Sequence, residues 1–220
     1  MKLTEEQIEQ IELYLESKKL FQLDLKEEVL DHMVSSVTDC MGKSDLSFID
    51  AFELERIKWK EELESNHSLW LGEDYKAPKI ATKKCIQIAI KMYVRTVLVG
   101  LLFTVLLYLG IHKTTIDSTT VDTIMGYTYF SFLVIQLFYY AQIIGTRINS
   151  SFRDIYKSQG MVYIIWSLLF NPMITGIYGV FKGGEVSFGL LFMHTTVLIF
   201  TYNFYELYVS HLKLSKLNIV

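Results

Sequence analysis

The sequence has few of the residues that build disulfide frameworks, metal sites and tight turns. It holds 2 cysteines and 2 prolines among 220 residues. Cys40 and Cys85 lie far apart, and two lone cysteines at that separation match no zinc or redox spacing. We therefore expect two free thiols, as is usual in a reducing compartment, and no bound metal or other cofactor.

Sequence motifs that carry catalysis are also missing. The chain has no Walker loop, no G-x-G-x-x-G, no H-E-x-x-H and no G-x-S-x-G. Its long apolar runs have no Asp, Glu, Lys or Arg near their centres, and these are the groups that mark proton and ion pathways in membranes. These absences argue against an enzyme and against an ion-coupled pump.

Charge is divided unevenly along the chain. Residues 1–64 hold 17 acidic and 8 basic side chains, whereas residues 65–220 hold 7 acidic and 13 basic ones. An acidic N-terminal part repels phosphate backbones, so nucleic-acid binding is not expected. The basic remainder suits anionic lipid head groups, which predicts the lipid bilayer as a partner.

Residues 1–64 are predicted to form an acidic domain of three short helices. Each predicted helix begins with a side chain that can accept a hydrogen bond from a free backbone N–H, followed three residues later by a second capping residue. These pairs are Thr4 with Gln7, Asp24 with Glu27, and Ser47 with Asp50.

Apolar residues give this domain a small predicted core. Along one face of the second helix they recur every four residues, as Leu25, Val29, Met33, Val37 and Met41. The first helix, which should run to about Lys19, has a partial stripe of Ile8, Ile11, Leu13 and Leu15. The third helix, which should run to about Leu63, is expected to close the core with Phe48, Ala51, Phe52 and Ile57.

Residues 65–90 are predicted to form a polar linker and a basic juxtamembrane helix. Four basic residues at multiples of a four-residue spacing share one face of this helix and its continuation, namely Lys79, Lys83, Lys91 and Arg95. Each such side chain near an anionic leaflet contributes about 1 kcal/mol of binding. We expect this flank to face lipid, with plain anchoring favoured over recognition of a specific lipid or an acidic partner.

The remainder, residues 91–220, is predicted to be a transmembrane domain. Four apolar runs approach or exceed the roughly 20 residues that a bilayer crossing needs, at about 92–111, 123–146, 158–181 and 186–209. The runs are rich in aromatics and do not alternate with polar residues, which argues against a transmembrane barrel. The expected fold is therefore all-α, with a three-helix domain followed by a four-helix transmembrane bundle.

Basic residues in the short flanks predict the orientation of these spans. They are concentrated before the first span, between the second and third, and after the fourth. The positive-inside bias then places both termini in the cytoplasm of a bacterial cell, with the chain as a multi-pass protein of the inner membrane. Glu206, at the end of the fourth span, is expected to reach water at the cytoplasmic interface.

Three polar residues fall at similar depth in the second, third and fourth predicted spans: Gln136, Asn171 and His194. They could line a pocket inside the bundle. The other interpretation, which we favour, is that they join helices through hydrogen bonds worth roughly 0.6 kcal/mol each.

The N-terminal segments EEQIEQIELYLESKK, LDLKEEVLDHMVSSV and DLSFIDAFELERIKWKEEL resemble a known type of module over residues 4–64. They are similar to the three-helix cytoplasmic domains that precede multi-span regions in bacterial membrane proteins, of the permease-prefix or sporulation-regulator type. The resemblance implies regulatory contacts with another protein. It does not extend to the membrane part.

Taken together, these features predict a non-enzymatic bacterial membrane protein with a regulatory or protein-interaction role. Its helical domain would bind a cytoplasmic protein or a second copy of the chain. The alternative is a small transport or permease-like subunit with a polar pocket at the midplane.

Overall fold

The computed structural model describes residues 2–113, 117–169, 181–182 and 185–217. These residues form helices α1 Glu5–Ser17, α2 Leu23–Ser44, α3 Phe48–Trp59, α4 Lys79–Lys113, α5 Ser118–Gly145, α6 Ser151–Leu169 and α7 Phe188–Leu217. Two antiparallel strand pairs accompany them, β1 Ser65–His67 with β2 Lys76–Pro78, and β3 Phe181–Lys182 with β4 Glu185–Val186. The predicted all-α class is confirmed.

The chain divides into two compact units. Within the described residues, the first unit holds residues 2–87, 148–154 and 214–217, and the second holds residues 88–147 and 155–213. The first unit thus extends beyond the predicted domain of residues 1–64. It includes the β1–β2 pair, the first turns of α4 and the segment that joins α5 to α6.

The core of the first unit follows the apolar stripes of α1 and α2. Leu25, Val29, Met33 and Val37 of α2 are buried together with Ile11 and Leu15 of α1. Tyr14 packs its ring edge-on against Phe52 of α3, at 5.7 Å between ring centroids. The apolar residues that recur every four positions along α2 are thus what joins the three helices.

Two of the three predicted helix caps are confirmed. Thr4 and Gln7 form a complete capping box, and the Ser47 side chain accepts from the Asp50 N–H. The predicted cap at Asp24 is wrong, because α2 begins at Leu23 with Gln22 as its N-cap residue. Asp24 has a partner elsewhere in the first unit.

The prediction for α3 is wrong at one position and misses another. Ile57 is 63% exposed, because six residues of helix place it about 120° around the axis from the buried Ala51. Glu55 takes the inward position and is only 4% exposed. The buried carboxylate accepts hydrogen bonds from Ser36 Oγ at 2.7 Å, Lys58 Nζ at 2.8 Å and Trp59 Nε1 at 2.9 Å.

Glu55 should make the stability of the first unit depend on pH. Burial alone would raise its pKa, but the bonds from Lys58, Ser36 and Trp59 outweigh burial, and the pKa is lowered. A carboxyl with a lowered folded pKa stabilises the fold above its unfolded pKa, about 4.3, and this contribution is lost as pH falls through the folded pKa. We expect Glu55→Gln to lose about 1–2 kcal/mol at neutral pH and to flatten the loss of stability below about pH 4.

Urea unfolding of the full chain at several pH values tests this prediction. Trp59 emission monitors the unfolding, with Trp70 and Trp166 replaced by Phe. Glu53→Gln is the matched control, because Glu53 is exposed on the same helix. If the free energy of unfolding falls equally steeply below about pH 4 in Glu55→Gln and in the parent, Glu55 does not carry the pH dependence.

The second unit contains α5 and most of α4, α6 and α7. Hydrogen bonds between side chains join its helices, such as Thr104 Oγ1 with Thr195 Oγ1 at 2.7 Å. Gly100 lets α7 come close, since a Cβ there would lie 3.3 Å from a ring carbon of Phe192. Among the described helices, α4 and α5 are long and apolar enough to cross a membrane.

Candidate functional site

The starts of helices α2 and α6 cap each other within the first unit. The Leu23 N–H at the start of α2 donates to the carbonyl oxygen of Asn149 at 3.0 Å. In return, Oδ1 of Asp24 accepts from the Ser151 N–H at the start of α6, at 2.9 Å. The first N–H groups of a helix have no partner inside the helix, so each segment satisfies a donor that the other would leave free.

A partly buried side-chain cluster extends this contact. Gln22 Nε2 donates to Oδ2 of Asp154 at 2.8 Å, and the Tyr75 hydroxyl donates to the same oxygen at 3.5 Å. Gln22 is 6% exposed, and Tyr75 is held in place by the turn that precedes β2. Gln22, the N-cap residue of α2, and Tyr75 of the β1–β2 connection therefore converge on the Asp154 carboxylate of α6.

Cys85 of α4 also belongs to this cluster. Its side chain is fully buried, with Sγ 3.7 Å from the carbonyl oxygen of Ser151 and 3.7 Å from the Tyr75 hydroxyl. Burial, helped by the nearby Asp154 carboxylate, raises the pKa of Cys85 to about 12. A thiol with so little thiolate at neutral pH is a poor nucleophile, which indicates a packing role. Both cysteines are free, as predicted.

We call Gln22, Asp24, Tyr75 and Cys85, together with the segment 148–154, the loop clamp. Three of its oxygen atoms are buried with no hydrogen-bond partner: Gln22 Oε1, Asp24 Oδ2 and Ser151 Oγ. Unsatisfied buried oxygens lower the stability of the closed arrangement. These oxygens offset part of the stabilisation that the hydrogen bonds of the loop clamp provide.

Lysines at the start of α4 form salt bridges with acidic side chains of the first unit. Lys84 pairs with Glu28 of α2 at 2.9 Å, Lys83 pairs with Glu62 at 2.6 Å, and Lys79 pairs with Glu61. Exposed pairs of this kind contribute about 0–1 kcal/mol each. Lys79 and Lys83, predicted as part of a lipid-facing flank, thus have carboxylate partners in the acidic domain, whereas Lys91 is exposed.

The predicted polar residues Gln136 and His194 have different partners in the second unit. Gln136 Nε2 donates to Thr201 Oγ1 at 2.6 Å, and its Oε1 accepts from Ser167 Oγ at 3.2 Å, so this side chain joins α5, α6 and α7. The His194 ring packs against Tyr129, and its Nδ1 lies 2.7 Å from the Leu190 carbonyl oxygen. Asn171, the third predicted member, lies outside the described residues.

A shallow polar groove of about 500 Å³ follows one face of α2. It is lined by polar and thiol side chains, namely His32, Ser35, Ser36, Asp39, Cys40, Lys43 and Ser44. Among the described residues, no three His, Cys, Asp or Glu side chains are grouped as a metal site would require. We call this surface the α2 groove.

No protein-family model, curated protein or solved structure matches this chain. The resemblance of residues 4–64 to bacterial helical signalling domains therefore has no support from these comparisons.

Sequence reasoning missed a polar network between α4 and α7. Glu206 was predicted to reach only water, but it pairs with Arg95, whose guanidinium also donates to Asn203 Oδ1. Asn203 Nδ2 in turn donates to Thr96 Oγ1 at 2.8 Å. Opposite charges at the same predicted membrane level, on the first and fourth spans, are the signal that could have identified this pair.

Proposed function

We propose that this chain is a non-enzymatic regulatory protein of the bacterial inner membrane. Its helical domain binds a cytoplasmic protein, and the loop clamp relays that binding to helices α5 and α6. The observation that carries the proposal is the mutual capping of α2 and the segment 148–154 through Leu23, Asn149, Asp24 and Ser151. This contact joins the helical domain to the segment between α5 and α6, so a partner that opens it would also affect that segment.

Exposed apolar side chains support a membrane location. Leu98, Leu102 and Leu106 of α4 and Phe130 and Phe138 of α5 are each about half exposed or more. Water-soluble monomers rarely expose apolar surface on this scale, whereas helices in a bilayer do so routinely. We propose four spans, at about 92–111, 123–146, 158–181 and 186–209, with Lys91 at the cytoplasmic lipid interface.

Reporter fusions test this topology. Fusions after Lys113 and Lys182 should report the periplasm, and fusions after Ser151 and Val220 should report the cytoplasm, because the basic flanks are expected to stay inside. Paired alkaline phosphatase and fluorescent-protein reporters at the same four positions control for expression level. A cytoplasmic signal at Lys113 would refute the four-span arrangement.

The relay follows from the thermodynamics of a two-state contact. A partner that binds the domain better when the loop clamp is open shifts the population toward the open state by its difference in affinity. The unsatisfied oxygens of Gln22, Asp24 and Ser151 disfavour the closed state and so reduce the difference in affinity that opening requires. Opening would free the starts of α2 and α6 together, because each caps the other.

The partner is proposed to bind in the α2 groove. A photo-crosslinking amino acid at Asp39 should give a discrete adduct in cells, since the groove presents both charges and several hydrogen-bonding groups to a partner surface. The same probe at Glu9, exposed on α1, is the control and should give none. An adduct of twice the chain mass would assign self-association. Absence of any adduct at Asp39 and Ser35, or equal adducts from Glu9, would contradict this binding surface.

A further inference from the structure

A second groove, of about 330 Å³, lies inside the second unit between α4, α6 and α7. Its walls carry five aromatic rings, those of Tyr93, Tyr163, Trp166, Phe192 and Phe200, with small valine and threonine side chains between them. The rings of Tyr163 and Phe200 are in close contact, at 3.8 Å between centroids. We call this feature the aromatic groove.

Three of the four hydroxyl groups that line the aromatic groove are already engaged by the protein. Thr96 Oγ1 donates to the Met92 carbonyl at 2.8 Å, and Thr196 Oγ1 donates to the Met193 carbonyl at 2.7 Å. The Tyr93 hydroxyl donates to Gln159 Oε1 at 2.6 Å. The surface left for a ligand is therefore mostly hydrocarbon and aromatic carbon, which a polar metabolite would not select.

The shape of the aromatic groove fits a chain. Its positions on α7 run from Phe192 to Phe200, which at 1.5 Å per residue is a length of about 12 Å. Its volume lies at the lower end of the roughly 300–1,000 Å³ of small-molecule sites, too small for a whole phospholipid. One side is open, since Val97 and Val162 at its edges are 47% and 56% exposed.

We propose that the aromatic groove binds one acyl chain of a membrane phospholipid and keeps that lipid after the surrounding bilayer is removed. This inference rests on the proposed membrane location, because the open side of the groove then faces bilayer hydrocarbon. Packing against aromatic rings distinguishes this lipid from its neighbours at the exposed faces of α4 and α5.

Trp166 provides a reporter within the groove itself. The chain is reconstituted in liposomes of phosphatidylcholine with dibrominated acyl chains, which quench tryptophan on contact, and then extracted and washed in maltoside detergent. We expect a single phospholipid per chain by phosphorus assay and a persistent quenching component that is lost in Trp166→Phe. Excess unbrominated phosphatidylcholine should restore the emission by exchange.

Three further variants separate the groove from general lipid contact. Val97→Phe narrows the groove and should lose both the phospholipid and the persistent quenching, whereas Leu102→Phe, exposed on the same helix outside the groove, should keep both. Val162→Phe repeats the test from the opposite wall, and size-exclusion chromatography selects the variant that folds.

The outcomes distinguish the two proposals. A chain that enters liposomes but loses all phospholipid on washing, or retains it equally in the narrowed variants, overturns the acyl-chain site and leaves the membrane location standing. A chain that fails to enter liposomes overturns both.

Discussion

Replacing Met33 with Asp is expected to unfold the helical domain. Met33 is fully buried, between the apolar faces of α1 and α3. The substitution removes a large apolar side chain and places an unpaired carboxylate in the core, and the two effects together cost about 5 kcal/mol or more. A domain this small has a total stability of similar size. Limited trypsin digestion of the full chain in detergent should cut at Lys26 and Arg56 in the variant at concentrations that leave the parent intact.

Ser35→Asp is the matched control, because Ser35 is exposed on the same helix and two residues away. It should digest like the parent. If Met33→Asp also resists digestion, the packing of α2 against α1 and α3 would be wrong.

Local rules of sequence explain much of the helical domain. The capping box at Thr4 and the Ser47 cap depend only on residues three apart, and the stripe from Leu25 to Val37 needs only helical periodicity. The pairing of β1 with β2 was not predicted, because strands of three residues in a polar connector carry no alternating pattern. Helix α4 runs unbroken from Lys79 to Lys113, since no proline separates the basic flank from the first apolar run.

The loop clamp could not be predicted, for a physical reason. Asp24 has the residue type and spacing of a local helix cap, but the donor it satisfies, the Ser151 N–H, lies 127 residues away. Nothing in a local window distinguishes these two uses of a carboxylate. Glu55 was missed for a related reason, since a charged residue is assigned to the surface unless its partners are known.

Replacing Asp24 with Ala is expected to open the loop clamp. The substitution leaves the Ser151 N–H without its acceptor, and a charge-assisted hydrogen bond of this kind contributes about 1.5–3 kcal/mol. Since about 1.4 kcal/mol is a factor of ten in an equilibrium, a loss in this range raises the open population roughly 10- to 150-fold. Asp24→Asn keeps an acceptor oxygen for that donor and should behave much more like the parent.

Alkylation of Cys85 in intact membranes measures this opening most directly. In a Cys40→Ser background Cys85 is the one thiol, and it reacts only when the segment 148–154 and Tyr75 move away from it. In the parent, maleimide labelling of Cys85 at pH 8 should be far slower than labelling of a free thiol in solution. The labelling rate should be at least fivefold higher in Asp24→Ala than in Asp24→Asn. Fast labelling of the parent, or equal rates in the two variants, would contradict the claim that the helical domain is coupled to the segment 148–154.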